Sequence, residues 1–222
     1  MAEKIILSWS GGKDSSLALY ELQKQGYEVS ALLTTITEDY DRISMHGVRV
    51  SLLEKQVQSL GLNLERVLIP KDASNEIYES RMRELLLKYK SRGVSSVAFG
   101  DIFLEDLKKY REEKLSRLNM RGVFPLWKQN TNLLAKKFID LGFKAVVTCV
   151  DSTMLDGSFA GQKFDENFLA SLPPSCDPCG ENGEFHSFVY DGPIFRKQIS
   201  FFIGEKVLRD NRFYFCDLVP ND

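Results

Sequence analysis

No hydrophobic run in these 222 residues is long enough to cross a bilayer, and the first apolar stretch, Ile5 to Leu7, is too short for the core of a secretory leader. The expectation is a cytoplasmic chain without membrane contact. A basic surplus is also missing. The formal charge is -2, whereas proteins that grip nucleic acid through its phosphates carry a basic stripe, so nucleic acid is disfavoured as a partner. Cysteine is sparse. Cys149, Cys176, Cys179 and Cys216 do not form the disulfide framework of a small secreted domain, and reduced thiols are expected. The single C-x-x-C pair supplies two zinc ligands at most, and no second closely spaced pair exists to complete a site. Internal repeats and low-complexity segments are absent, which excludes solenoids and tethers.

What is present is the composition of an ordinary globular protein, 43% hydrophobic and 27% charged, which excludes a disordered chain. Short apolar runs alternate with amphipathic stretches up to about residue 150, the signature of a parallel sheet covered by helices. Candidate strands are Ile5–Trp9, Val29–Thr35, Leu64–Ile69, Val94–Phe99 and Ala145–Val150, each suited to burial on both faces. Helical stripes fall at Ala18, Leu19 and Leu22; at Val50, Leu53, Val57 and Leu60, stopped by Gly61; at Tyr78, Met82, Leu85, Leu86 and Tyr89; and at Leu134, Phe138 and Leu141, with Thr131 as N-cap. After Asp151, glycine and proline become frequent, and two apolar stretches, 199–203 and 213–219, flank the turn residues Asp210 and Asn211. The expected architecture is a doubly wound α/β domain over residues 1–125 and a smaller α/β lobe over 126–222.

The first strand runs directly into Ser10-Gly11-Gly12-Lys13-Asp14-Ser15 and then into a helix. Gly11 and Gly12 let the backbone turn tightly and approach an anion, and the first helical amides have no intrahelical acceptor. A helix terminus contributes only about 0.3–2 kcal/mol toward an anion, so Lys13 and the hydroxyls of Ser10, Ser15 and Ser16 must add charge and direction to hold a triphosphate. An acid at position 14 beside phosphate makes sense if Mg²⁺ bridges the two, with Asp14 the metal ligand; a plain N-cap is the alternative. The spacing fits neither the Walker A loop nor the dinucleotide fingerprint.

Four further places stand out. His46, in Met45-His46-Gly47 before an amphipathic helix, can reach a phosphate or carboxylate, or simply be an exposed loop residue. Gly100 and Asp101 follow the fourth strand, at the sheet edge where ligands bind, with Asp101 available both as helix cap and as site carboxylate. Arg111 falls in the apolar stripe of Leu104, Leu107, Leu115 and Leu118, so it needs an anionic partner, structural or ligand. Last, Asp177 to Ser187 crowds Glu181, Asn182, Glu184 and His186 into a glycine-interrupted loop. A solvated turn is the plain alternative, yet fold stability does not require such a density of acids, and ordered polar loops are frequently sites. Such acids could hold Mg²⁺ or act as general base.

The motif S-G-G-K-D-S after a first strand resembles the PP-loop of N-type ATP pyrophosphatases. With M-H-G, F-G-D-I (Phe99 to Ile102) and G-E-N-G-E-F-H-S following in order, the chain resembles the diphthine–ammonia ligase family. Ser187 stands where Thr is common and keeps the hydroxyl. The resemblance implies ATP and Mg²⁺ as cofactors, with adenine beside Leu33-Thr34-Thr35, and ATP-dependent amidation of a carboxylate through an acyl-adenylate. It also implies an appended lobe closing over a cleft. Lys13 and Mg²⁺ would offset charge on the departing pyrophosphate, with Lys13, Asp14, Glu181, Glu184 and His186 as the catalytic set. The implied partners are ammonia and a carboxylate, either diphthine on elongation factor 2 or a small molecule; a homodimer is left open. Two other classes stay in view: a non-catalytic ATP or AMP sensor, and an RNA-modifying enzyme of the thiolation type, for which Cys176 and Cys179 would supply sulfur chemistry.

Overall fold

The computed structural model describes residues 2–38, 42–43, 46–70 and 73–221. A first sheet is built from β1 (Lys4–Ser8), β2 (Glu28–Thr37), β3 (Arg42–Ile43), β4 (Leu64–Ile69), β5 (Ser96–Ala98) and β6 (Arg121–Val123). All its pairings are parallel except β2 with β3. The parallel strands lie in the order β4-β2-β1-β5-β6. The chain therefore moves outward from β1 to β4, then returns to the other side of β1 as β5. That reversal opens a crevice at the carboxyl ends of β1 and β5, where open α/β sheets bind ligands.

Strand alternation sorts β1 onto two cores. Ile5 and Leu7 pack against α1 (Lys13–Lys24) and α2 (Val50–Leu60), while Ile6 faces the opposite layer, α3 (Asn75–Lys90) and α4 (Glu105–Ser116). Helix α2 ends at Gly61, in the left-handed conformation with φ 68°, as its position predicts.

A second, four-stranded antiparallel sheet has the order β8-β7-β10-β9, with β7 at Lys144–Asp151, β8 at Phe185–Asp191, β9 at Phe201–Arg209 and β10 at Phe213–Pro220. Asp210 and Asn211, both at positive φ, turn β9 into β10. The strand expected at Ala145–Val150 forms, but in this second sheet rather than the parallel one. A run buried on both faces reads the same in either setting. Helix α5 (Thr131–Asp140) is capped by Asn130, whose side chain accepts from the Leu133 amide at 3.1 Å, so the cap lies one residue before Thr131. A short α6 (Glu166–Ser171) completes the lobe. Phe188, Val146 and Leu218 of the second sheet share one continuous core with Leu7, Leu19 and Leu53 of the first. The lobes are thus joined through packed side chains.

Candidate functional site

The turn after β1 is shaped from below by a residue that sequence patterning passed over. Gln56, fully buried on the apolar face of α2, accepts from Trp9 Nε1 at 3.1 Å and donates Nε2 to Gly11 O at 2.9 Å and to Val189 O at 2.5 Å. The signal was there: an amide three residues after Leu53, inside the helical stripe, needs buried partners. Gly11 sits at φ 77°, and a Cβ there would lie 2.7 Å from Gln56 Oε1, so two constraints require glycine. The Ser10 hydroxyl accepts from the Gly12 amide at 3.2 Å and lies 3.3 Å from Ser15 Oγ, which in turn reaches Gly12 O at 3.0 Å.

The second sheet braces this turn from behind. Val189 of β8 donates to Gly11 O at 2.9 Å, and the Ser187 hydroxyl accepts from the Lys13 amide at 3.2 Å. The hydroxyl at position 187 therefore caps α1 from 174 residues away. Gly100, across the crevice, brings β5 against the first turn of α1: a Cβ there would meet the Asp14 carbonyl carbon at 3.0 Å.

Lys13 turns inward. It is 4% exposed, and its Nζ lies 2.7 Å from both oxygens of Asp14. Burial works to lower its pKa, but Asp14 chiefly outweighs that and the ammonium is held above its ordinary range. Ser16 is likewise buried, with no hydrogen-bond partner for its hydroxyl among the described residues. Asp14, by contrast, lines an open cleft of about 910 Å³ together with Ser10, Ser15, Thr34, Thr35, His46, Gly100, Asp101, Arg111, Glu181 and His186. Such a volume is at the upper end for a small-molecule site. Thr34 spends its hydroxyl on Trp9 O at 2.6 Å, tying the end of β2 to the turn.

The two acids of the G-E-N-G-E loop part company. Glu184 is 1% exposed and accepts from the Asp177 amide, the Asn182 amide and Asn182 Nδ2, at 2.8 to 3.0 Å. It orders its own loop and does not reach the cleft wall. Glu181 does: one oxygen accepts from the amides of Ile102 at 2.8 Å and Phe103 at 3.4 Å, bridging the second lobe to the segment after β5. Burial, reinforced by Asp14, pushes its carboxyl up to about 7 against those two amides and Lys13. Asp101 is not a helix cap, since α4 begins at Glu105 with Leu104 at the cap position. Its carboxylate meets Arg111 instead, 2.8 Å from Nε, and the guanidinium stacks 4.2 Å from the centre of the Phe99 ring. Burial raises Asp101, opposed by Arg111 and reinforced by Asp14.

His46 and His186 lie with ring centres 4.6 Å apart and their planes tilted by 38°, and His46 Nδ1 lies 3.3 Å from Ser187 O. Burial drops His46 to about 3, with the His186 and Lys13 charges adding to the fall, and drops His186 to about 4. Both rings are neutral at pH 7. Met45, the first residue of the M-H-G motif, lies outside the described residues. The segment carrying His46 is clamped by Asp217 of β10, whose carboxylate takes Arg42 at 2.9 Å and Arg49 at 2.6 and 3.1 Å. Phe215 packs against Gly47 on the same side. Asp217→Ala is expected to loosen this segment, with faster amide exchange at Gly47–Val50 and a loss of about 1–3 kcal/mol in unfolding free energy. Unchanged exchange there would show that the clamp does not hold the segment.

Among the described residues no three His, Cys, Asp or Glu side chains converge as a ready-made metal site. A cation shared with phosphates needs fewer protein ligands. Asp14 suits that role: its side chain is 33% exposed, and its charge presses on both Asp101 and Glu181. Among the described residues no helix is long and apolar enough to cross a membrane.

Parallel sheet, glycine turn and crevice together define a doubly wound α/β protein, with an antiparallel lobe bracing its glycine turn. The chain belongs to the diphthamide synthase family. The diphthamide synthase N-terminal domain matches residues 3–122 and the diphthamide synthase C-terminal domain matches residues 130–217. It is similar to the diphthine–ammonia ligase of Schizosaccharomyces pombe, 26% identical over 219 residues, which cover 88% of this chain and 36% of that protein. The chain thus spans about a third of that relative. The Rattus norvegicus diphthine–ammonia ligase is 25% identical over 228 residues, covering 90% of this chain and 83% of that one. The argininosuccinate synthase of Oenococcus oeni shares 32% identity over 82 residues, covering 37% of this chain and 18% of that protein.

Proposed function

We propose that this chain binds ATP with its phosphates at the turn Ser10–Ser15, transfers AMP to a carboxylate, and amidates the acyl-adenylate with ammonia. The observation that carries the reading is the meeting, in one cleft, of the glycine turn, Asp14, the Asp101–Arg111 pair and Glu181. In the first step a carboxylate oxygen bonds to the α-phosphorus as the bond to the bridging oxygen of pyrophosphate breaks. In the second, ammonia bonds to the acyl carbon, the carbon–oxygen bond to AMP breaks, and the nitrogen loses a proton. A Mg²⁺ held by Asp14 and phosphate oxygens would neutralise charge on the departing group. The Asp14 and Ser15 amides of the first turn of α1, beyond the Lys13 amide that Ser187 takes, would face the phosphates, while Lys13, released from Asp14, would supply positive charge from behind the loop. Glu181, with its carboxyl near 7, is suited to take the proton from the amine. Diphthine is the substrate that the relatives' names suggest, carried on elongation factor 2 as the family resemblance implies; a small carboxylic acid is the other.

The sulfur-transfer alternative loses support from its own cysteines. Burial pushes the thiols of Cys176 and Cys179 up to about 12, so neither is a thiolate at neutral pH. The amidation reading is tested by incubating the protein with ATP, Mg²⁺, ammonium and an oxygen-labelled carboxylate, with diphthine-bearing elongation factor 2 and a panel of small acids as acceptors. AMP and pyrophosphate in equal amounts are expected, with label in the AMP phosphate. ADP and phosphate as products would overturn it, and tight ATP binding without turnover across all acceptors would make the protein a sensor.

A further inference from the structure

His46 meets the cleft with one ring nitrogen already spent. Its Nδ1 lies within hydrogen-bond distance of Ser187 O, and a backbone carbonyl oxygen can only accept, so Nδ1 carries the proton. Burial keeps the ring neutral, reinforced by the charges of His186 and Lys13. Nε2 is therefore a bare lone pair. Among the described residues it accepts no hydrogen bond, and the ring lines the cleft together with Ser10, Asp14 and Ser15.

That lone pair stands beside the place proposed for the phosphates. A Cβ built on Gly12, the residue that opens α1, would lie 3.1 Å from His46 Cε1, the carbon between the two ring nitrogens, and 3.0 Å from Ser187 O. Ring and carbonyl thus cover the turn from one side. Phosphate oxygens are acceptors, and an acceptor set against a bare lone pair is repelled. Either the ring swings away or Nε2 takes a proton. Swinging is opposed by the clamp on this segment: Arg42 donates to Gly47 O at 2.6 Å, Arg42 and Arg49 are both held by Asp217, and Phe215 fills the space over Gly47. The charged groups that bear on the ring are Lys13 of α1, itself paired with Asp14, His186 of β8, and the Arg42–Arg49–Asp217 cluster. A bound phosphate reverses the field that Lys13 sets there and favours the imidazolium.

We propose that ATP brings a proton onto His46 Nε2 as it binds, and that the imidazolium hands this proton to the pyrophosphate as it departs. The assignment deepens the adenylation reading and rests on it for the position of the phosphates. Solvent supplies the proton when ATP binds. As the bond between the α-phosphorus and the bridging oxygen breaks, its electron pair stays on the pyrophosphate, the Nε2–H bond breaks, and an O–H bond forms on the leaving group. The ring returns to its neutral form. His186, with its ring centre 4.6 Å away, stays neutral throughout, because a second imidazolium at that distance is repelled by the first.

The test uses α,β-methylene-ATP with Mg²⁺ on the full chain, an analogue that cannot release pyrophosphate. The sequence holds two histidines, His46 and His186, so nitrogen-15 spectra of histidine-labelled protein resolve each ring. At neutral pH without nucleotide both rings are expected to be neutral, with the His46 proton on Nδ1; with the analogue, His46 alone becomes charged. Calorimetry in buffers of different ionisation enthalpy is expected to count about one proton more taken up by the original chain than by His46→Gln, and the original chain's advantage in affinity should shrink by up to about tenfold per unit as pH rises. Binding of the analogue that leaves His46 neutral, or that charges His186 in its place, would overturn the proposal, and the spectra show this without any variant. Failure of the analogue to bind would instead strike the adenylation reading, and this assignment with it, so the two failures are distinguishable.

Discussion

Asp14→Asn is expected to lower AMP formation by about 10²–10³-fold, the scale seen when one directed electrostatic contact to a transition state is removed. The same change should also reach the fold. Lys13 is buried and takes Asp14 at 2.7 Å, so removing the carboxylate strands an ammonium, at a cost of about 3 kcal/mol, the lower end for a broken buried pair because Asp14 is partly exposed. Phosphate oxygens can replace what is lost. Thermal melts should accordingly show a larger stabilisation by ATP without Mg²⁺ in the variant than in the original chain. A variant that melts at the original temperature, with or without ATP, would show that Lys13 does not depend on this partner and that no phosphate reaches it.

Acid should destabilise the chain through its two histidines. Both folded-state values lie below the ordinary 6.5, at about 3 for His46 and about 4 for His186. The unfolded chain therefore takes up these protons first, and stability that is complete above 6.5 is lost as pH falls toward 4. Each such proton changes unfolding free energy by about 1.4 kcal/mol per pH unit inside that window. Glu181 acts in the opposite sense. Its folded value near 7 exceeds the ordinary 4.5, so the folded state holds the extra proton and gains stability as pH falls from 7 to 4.5, offsetting one histidine. Chemical denaturation at a series of pH values should thus give a shallow acid slope for the original chain, a steeper one for Glu181→Gln, and a flattened or inverted one for His46→Gln with His186→Gln. Lys13 faces the same cluster, and Asp14 beside it holds its ammonium above the ordinary range. Identical slopes for all three proteins would show that these groups are solvated.

Much of this was legible in the residues. The strand–glycine–helix order at Ser10 to Ser15 places the turn unaided, because apolar β-branched residues, paired glycines and a helical stripe each leave a local mark. Arg111, a charge in an apolar stripe, does find an anionic partner, and that partner is Asp101, which caps no helix. Less could be seen where contacts are distant. Glu181 and Glu184 are equivalent in the sequence, and only the packed loop shows that one faces the cleft while the other is consumed holding Asp177 and Asn182. The strand at 144–151 carried no sign of which sheet it would join, since burial on both faces erases the alternation that would have told. Asp217 shows least of all: its pairing with Arg42 and Arg49 joins residues some 170 positions apart.

The dependence of the glycine turn on β8 bears on how the molecule comes into being. Gly11 and Lys13 are fixed by Val189 and Ser187, so a nascent chain whose leading half has left the ribosome still lacks the braces that set its nucleotide grip. On the proposed reading, competence for ATP would arise only once β8 has docked on what emerged before it, and a fragment ending before β8 would keep the motif while losing the shape that makes it useful.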